Sequence, residues 1–271
     1  MPLPPPSDAS TALVTGASSG IGEQFARGLA RRGHGVTLVA RRADVLERLA
    51  SELSGEHGVR ADHVAADLAK PKQRDALAEA VAANGREVAV LVNCAGFGVY
   101  GPFVENERER EIQQVRVLVE AVVDLTARYL PGMVARDSGA VINVSSTAGM
   151  QPLPHNAGYS AAKAHVEFFS EAIHTELQGT GVTVTTVLPG PVRTGFQDAS
   201  DAGYFTERMP GMVFASPERV AEDGLAAAEA GKRSVVPGGL PVRAAFRPNR
   251  FAPRRVVLAV SKRMMARPGG D

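Results

Sequence analysis

The chain has 271 residues with 30 basic and 29 acidic side chains, and its net charge of +1 makes no general case for nucleic acid or acidic partners. A hydrophobic content of 44% with 22% charged residues is ordinary for a globular protein with a sizeable core. The single cysteine, Cys94, excludes an internal disulfide and fits a reducing compartment; it and the six histidines show no ligand spacing, so no metal site is expected.

The start, "MPLPPPSDAS", has neither a basic nor an apolar region of the kind a signal peptide needs, and reads as a disordered proline-rich tail over 1–10. No apolar run approaches the length that crosses a bilayer, so a soluble, cytoplasmic protein is expected. From there, short apolar runs rich in β-branched residues alternate with helical patterns. Strands are predicted at 11–17, 35–41, 62–68, 88–96, 139–146, 182–190 and 234–239, and helices near 21–32, 43–54, 72–84, 107–136, 157–178 and 217–230. Nearly uninterrupted apolar strands suit a parallel sheet covered on both faces. The rhythm predicts an α/β, Rossmann-type doubly wound, mostly parallel seven-stranded sheet, as a single domain over 11–271. Two segments fall outside it: 195–215 reads as a lid over a site, and 243–271 as a basic, proline-punctuated C-terminal extension.

"TGASSGIG" (15–22) sets Gly16, Gly20 and Gly22 between a strand and an amphipathic helix. Small residues let backbone approach a pyrophosphate, and the helix N-terminus offers free N–H groups, so Gly16, Ser18, Ser19, Gly20, Ile21 and Gly22 are expected to hold a dinucleotide. The second strand ends "LVARR" with no acidic residue before Asp44. Arg41 and Arg42 there favour a 2′-phosphate, hence NADP(H), over free ribose hydroxyls; the alternative is that one or both are solvated surface charges.

Further along, "ADL" (66–68), "NCAG" (93–96), a serine before "TAG" (146), "YSAAK" (159–163) and "PGPVRT" (189–194) follow in order. With "TGASSGIG" they make the chain resemble the short-chain dehydrogenase/reductase family from about Thr11 to Gly239. The resemblance implies that Asp67 and Leu68 face the adenine, that Asn93, Ala95 and Gly96 border the adenosine ribose and the central sheet, and that Pro189, Gly190, Val192 and Thr194 meet the nicotinamide. It also implies Ser146, Tyr159 and Lys163 as the catalytic set, with Ser145 as the competing serine, and a homodimer or homotetramer.

Tyr159 and Lys163, at i and i+4, share one face of a helix. A free phenol titrates near about 10, and a cation one turn away favours the phenolate, so Lys163 is expected to lower the Tyr159 pKa and also to hydrogen-bond the nicotinamide ribose, with Tyr159 and Lys163 both counted among the cofactor-binding residues. Tyr159 would then act as general acid or base on a carbonyl or alcohol, with Ser146 holding the oxygen. One position departs from the resembled pattern: Leu118 stands where the family has an asparagine that holds a water beside the lysine. A leucine cannot hold it, so the proton relay is expected to be rerouted or weakened. Cys94, where asparagine is common, is expected to pack rather than react. His155 has two readings, a loop residue or one that projects into the site.

Phe97, Val99, Tyr100 and Phe103, with Phe196, Tyr204, Phe205, Met209, Met212 and Phe214, suggest a hydrophobic ketone or alcohol as substrate. The tail joins an apolar run to basic residues, and is read as closing over the site, packing between subunits, or touching anionic lipid. An enzyme of isomerisation, elimination or cyclisation, or a non-catalytic NADP-binding protein, are the competing functions.

Overall fold

A computed structural model describes residues 3–192, 214–238 and 253–265. Seven strands form one sheet: β1 (Ser10–Thr15), β2 (Val36–Ala40), β3 (Ala61–Ala65), β4 (Glu87–Asn93), β5 (Gly139–Val144), β6 (Val182–Val187) and β7 (Ser234–Val235). Their order is β3-β2-β1-β4-β5-β6-β7, and every neighbouring pair is parallel. This is the expected doubly wound architecture, and the winding reverses between β1 and β4.

Strand periodicity explains why both faces are apolar. Side chains alternate between the two faces, so one strand feeds two cores. Ala12 and Val14 of β1, Val90 and Val92 of β4 and Ile142 of β5 face one layer. Leu13, Leu91 and Val141, their neighbours in sequence, face the other. The first layer is closed by Phe25 and Leu29 of α1 (Gly20–Arg31), Leu46, Leu49 and Leu53 of α2 (Ala43–His57), and Val220 and Leu225 of α7 (Pro217–Glu229). The second is closed by Leu77 and Val81 of α3 (Pro71–Ala83), Leu125 and Met133 of α5 (Ala121–Ala135), and Ile173 of α6 (Ala157–Glu176).

Local chemistry sets the helix ends. Gly58 closes α2 at φ 66°, a left-handed position that L side chains disfavour, and its N–H reaches Ser54 O. Pro217 occupies the first turn of α7, where its missing N–H would be unpaired anyway, and Ser216 Oγ caps that turn by accepting from Arg219 N at 3.2 Å.

Four features differ from the sequence expectation. Leu3, within the expected tail, is only 8% exposed and packs into the first core layer, because an apolar side chain beside that layer is better buried than solvated. The helix predicted over 107–136 is α4 (Arg108–Val115) and α5 joined by a π-helical turn, Arg116–Glu120. A short 3₁₀ turn, Thr147–Met150, follows β5, and the tail holds a helix, α8 (Arg254–Met265). Of the proposed lid, only Phe214 and Ala215 fall among the described residues; Phe196, Tyr204, Phe205, Met209 and Met212 lie outside them. No helix among the described residues is long and apolar enough to cross a membrane.

Candidate active site

Ligands of open parallel sheets gather outside the carboxyl ends of the strands, where the winding reverses. Here that place lies between Gly16, after β1, and Cys94–Gly96, after β4. Gly16 has φ 69°, and a Cβ on it would stand 2.9 Å from Ala95 Cα. A Cβ on Gly22 would stand 2.3 Å from Gly16 O, so α1 packs against the turn more closely than any side chain permits. Ser19 precedes α1 in extended conformation and does not cap it with its side chain, which leaves the first-turn N–H groups available to an anion. The side chain of Ile21 turns away and packs on the first core layer.

Thr15, to which the sequence reading gave no role, joins the two strands here. Its hydroxyl donates to Val92 O at 3.1 Å and accepts from Cys94 N at 2.9 Å and Ala95 N at 3.1 Å. The signal was present as the threonine before the first glycine, but its partners lie about 80 positions away in sequence.

The two arginines after β2 separate. Arg42 Nη2 donates to Ser18 O at 3.0 Å and Ser18 Oγ at 2.9 Å, spanning the mouth of the glycine turn. Arg41 is exposed and has no ion pair among the described residues. Arg42 therefore stands beside the glycine turn, Arg41 precedes it with an exposed side chain, and no acid ends β2, which fits a phosphorylated ribose. Asp67 is half-buried; its Oδ1 accepts from Ala69 N at 3.1 Å and its Oδ2 lies 3.7 Å from Lys70 Nζ. The Leu68 side chain is buried in the second core layer rather than facing a ligand, while its carbonyl accepts from Arg74 Nη1 at 2.7 Å. Arg74, itself buried, also pairs with Glu120 and with Asp124 Oδ2.

Asn93 does not line the crevice with its side chain. It is buried, and its amide donates to Asn143 Oδ1 at 2.8 Å and Thr126 Oγ1 at 3.3 Å. Asn143, its register partner on β5, donates onward to Ser170 Oγ at 2.9 Å. A buried amide without partners would be costly, so this chain of hydrogen bonds locks β4 to β5 and α6. The Asn93 side chain thus serves the central sheet, one half of what was expected of this residue.

Beyond β5 the two serines divide. Ser145 Oγ donates to Lys163 O at 2.6 Å and is buried. Ser146 Oγ accepts from Ala148 N at 3.1 Å, lies 3.5 Å from Pro189 O, and hydrogen-bonds the Tyr159 hydroxyl. Lys163 Nζ donates to Val144 O at 2.7 Å and stands 5.7 Å from the centroid of the Tyr159 ring. Geometry thus brings Ser146, Tyr159 and Lys163 together.

Their electrostatics differ from the expectation. Burial lifts the Tyr159 phenol well above its ordinary 10; Tyr100 pushes the same way, the Ser146 hydrogen bond pulls down, and Cys94 pushes up again. Burial also lowers Lys163 to about 8, partly offset by Cys94. Lys163 lies over the ring face and gives a hydrogen bond to a carbonyl, so its charge does not outweigh the phenol's desolvation. The expected lowering of Tyr159 by Lys163 is therefore reversed when only the chain's own groups act. Cys94 is no reactive thiol, since burial pushes it up to about 12.

Leu118 sits in the π-helical turn and is buried. A Cβ on Gly96 would meet its Cδ2 at 2.7 Å and Lys163 Nζ at 3.9 Å, so Gly96, Leu118 and Lys163 crowd one another. Next to them is a buried polar pair that sequence reasoning missed. Gln114 Oε1 accepts from Val99 N at 2.8 Å, and Glu111 Oε1 accepts from Asn106 Nδ2 at 2.7 Å. A Cβ on Gly158 would lie 2.4 Å from Glu111 Oε2, so α4 presses directly on the turn that precedes Tyr159. His155 has φ 62°; its carbonyl accepts from Gly101 N at 2.9 Å, and its Nδ1 has no partner among the described residues.

At the far end, Pro189 O accepts from Thr147 N at 2.9 Å, Gly190 follows it, and Val192 bridges Ala215. Thr194 lies outside the described residues. Of the residues expected to line an apolar substrate site, Val99 is buried and Phe103 exposed. Among the described residues no three histidines, cysteines or acids gather as a metal site.

Comparison with known proteins agrees with this geometry. Residues 10–204 match the family profile described as short chain dehydrogenase. A very-long-chain 3-oxoacyl-CoA reductase of Bos taurus is 37% identical over 187 residues, covering 68% of this chain and 59% of that protein. The matched region spans about three-fifths of the length of such curated relatives. A short-chain dehydrogenase of Sphingobium yanoikuyae, solved with NADPH, superimposes with a TM-score of 0.78 at 31% identity over 87% of this chain and 91% of that one. The L-sorbose reductase of Gluconobacter frateurii, solved with NADPH and L-sorbose, gives 0.77 at 29% identity over 90% and 99%. With the glycine turn, the reversal point and the serine–tyrosine–lysine cluster all in one crevice, this chain belongs to the short-chain dehydrogenase family.

Proposed function

We propose that the chain is an NADP(H)-dependent oxidoreductase that interconverts a hydrophobic ketone and its alcohol. The observation that carries this reading is the Tyr159 hydroxyl held by Ser146, with the Lys163 ammonium over its ring, at the strand ends that face the glycine turn. The cofactor would be held by the turn 16–22, the N-terminus of α1, and Arg41 and Arg42 at its 2′-phosphate. Bound there, a dihydronicotinamide would supply hydride to a carbonyl carbon.

The chain's own residues do the rest. Tyr159, like any phenol, keeps its proton at neutral pH, and burial reinforces this, so an O–H is ready to protonate the carbonyl oxygen as charge builds there. Ser146 orients that hydroxyl and the substrate oxygen. Lys163 keeps a positive charge beside the phenol, which steadies the phenolate left after proton transfer.

Oxoacyl thioesters enter as probes because relatives with that activity share the matched region. The test is a screen of NADPH oxidation over aldehydes, ketones and 3-oxoacyl thioesters, with Tyr159→Phe as control. Turnover of some hydrophobic carbonyl that Tyr159→Phe abolishes is the expected outcome; NADPH binding without oxidation of any carbonyl would return the reading to a non-redox enzyme or a silent binder. A homo-oligomer is part of the proposal, supported by the exposed Ile112 and Val115 of α4 and Phe168 of α6. Sedimentation of a monomer at micromolar concentration would remove it.

A further inference from the structure

The sequence offers Tyr100 as part of an apolar lining, but its ring ends in a hydroxyl that the mechanism above does not use. Tyr100 lies in the loop after β4, at the strand ends where ligands of such sheets gather. Three hydrogen bonds hold that loop. Val99 N donates to Gln114 Oε1 at 2.8 Å, Gly101 N donates to His155 O at 2.9 Å, and Asn106 Nδ2 donates to Glu111 Oε1 at 2.7 Å. Tyr100 is therefore pinned on both sides, from α4 and from the turn that leads into α6. Gln114 is fully buried and Glu111 nearly so, and Gln114 Nε2 also donates to Glu111 Oε2 at 3.3 Å. Breaking bonds to such buried groups is costly, so the loop is preorganised.

The same two side chains set the helix that carries Tyr159. A Cβ on Gly158 would lie 2.4 Å from Glu111 Oε2 and 2.7 Å from Gln114 Nε2, so α4 packs against α6 one residue before the reacting phenol. Tyr100 and Tyr159 are thus positioned by one polar cluster, and their phenols are near enough to act on one another electrostatically. Tyr100 is half-buried, while its neighbour Val99 is buried. A phenol carries its proton at neutral pH, so the site presents a second O–H beside the first.

A carbonyl oxygen has two lone pairs. Ser146 and Tyr159 fill both in the mechanism above, so a third donor finds no place on that oxygen. We propose that Tyr100 holds a second oxygen of the substrate, so that the chain selects ketones bearing a hydroxyl or oxo group close to the reacting carbonyl. This rests on the carbonyl reduction proposed above. Two anchored oxygens would also fix which face of the carbonyl meets the nicotinamide, whereas apolar contacts alone leave the chain of the substrate free to turn.

The test uses 4-nonanone and 6-hydroxynonan-4-one, which differ by one hydroxyl. Wild-type kcat/KM with NADPH is expected to favour the hydroxyketone by about tenfold, mainly through KM, and Tyr100→Phe should erase most of that preference. The ratio between the two ketones is the readout, because a merely structural fault would lower both together. No preference in the wild type, a preference that Tyr100→Phe retains, or an equal loss on both ketones would overturn the proposal; the last would assign the Tyr100 hydroxyl to Tyr159 itself. A second measurement separates this proposal from the redox reading. Dissociation constants of the two ketones from NADPH-loaded Tyr159→Phe protein, read by NADPH fluorescence, should show the same preference, and adding Tyr100→Phe should remove it. Should the wild type reduce no carbonyl at all, the redox reading falls, and this binding ratio still decides the role of Tyr100.

Discussion

The ammonium of Lys163 stands 5.7 Å from the Tyr159 ring centroid while donating to Val144 O at 2.7 Å, so one buried cation serves the sheet and the phenol together. Its burial has a consequence for stability. A lysine lowered from 10.5 to about 8 in the folded chain binds its proton less tightly than in the unfolded chain. Between those values the unfolded state holds more protons, so stability rises with pH across that window, and the penalty is fully present below about 8. Lys163→Met, which removes the charge at similar volume, is expected to raise unfolding free energy at neutral pH by about 2 kcal/mol, after allowing for the lost hydrogen bond. Denaturant titration at neutral pH and at pH near the unfolded lysine value checks both the gain and its disappearance.

The same cation shapes activity. If Lys163 must be charged, carbonyl reduction should fall as pH rises through about 8, whereas Lys163→Arg, at lower rate, should lose that limb. Tyr159→Phe should lower kcat by about 10²–10⁴-fold with NADPH affinity little changed. A pH–rate profile of the three proteins, paired with fluorescence titration of NADPH, reads these outcomes.

Leu118 presses on Gly96 beside Lys163, where a polar side chain would give the lysine a hydrogen-bonded neighbour. Leu118→Asn is expected to raise turnover by up to about tenfold and to cost about 2–4 kcal/mol of stability, since a buried leucine is exchanged for an amide. An unaltered rate in this variant would remove the idea that Leu118 restricts proton relay.

Arg42 is tied to Ser18, and Arg41 is exposed beside it. Replacing both with Ala should raise KM for NADPH by about 10–100-fold, the scale of charge-assisted hydrogen bonds to a phosphate, with little change for NADH. Equal losses for both cofactors would indicate damage to the turn rather than loss of phosphate recognition.

Gly22→Ala places a methyl 2.3 Å from Gly16 O, against backbone that cannot retreat without moving Ala95 as well. We expect several kcal/mol of destabilisation and loss of NADPH binding, measurable as a lower melting temperature that NADPH does not restore.

Sequence by itself determined what depends on local chemistry. Alternating apolar runs specify a sheet covered on both faces, glycines between a strand and a helix specify the tight turn, and a spacing of four aligns Tyr159 with Lys163 on α6. Only the tertiary structure decided matters that join distant residues. It gave Ser145 to the Lys163 carbonyl and Ser146 to Tyr159, turned Asn93 toward Asn143, set Arg42 on Ser18, and placed Thr15 between two strands. Those partners lie 13 to 80 residues apart, beyond any periodic signal. The direction of the Tyr159 shift was hidden for the same reason: a neighbouring cation can be read from spacing, but the loss of water that outweighs it exists only once the chain has closed around the phenol.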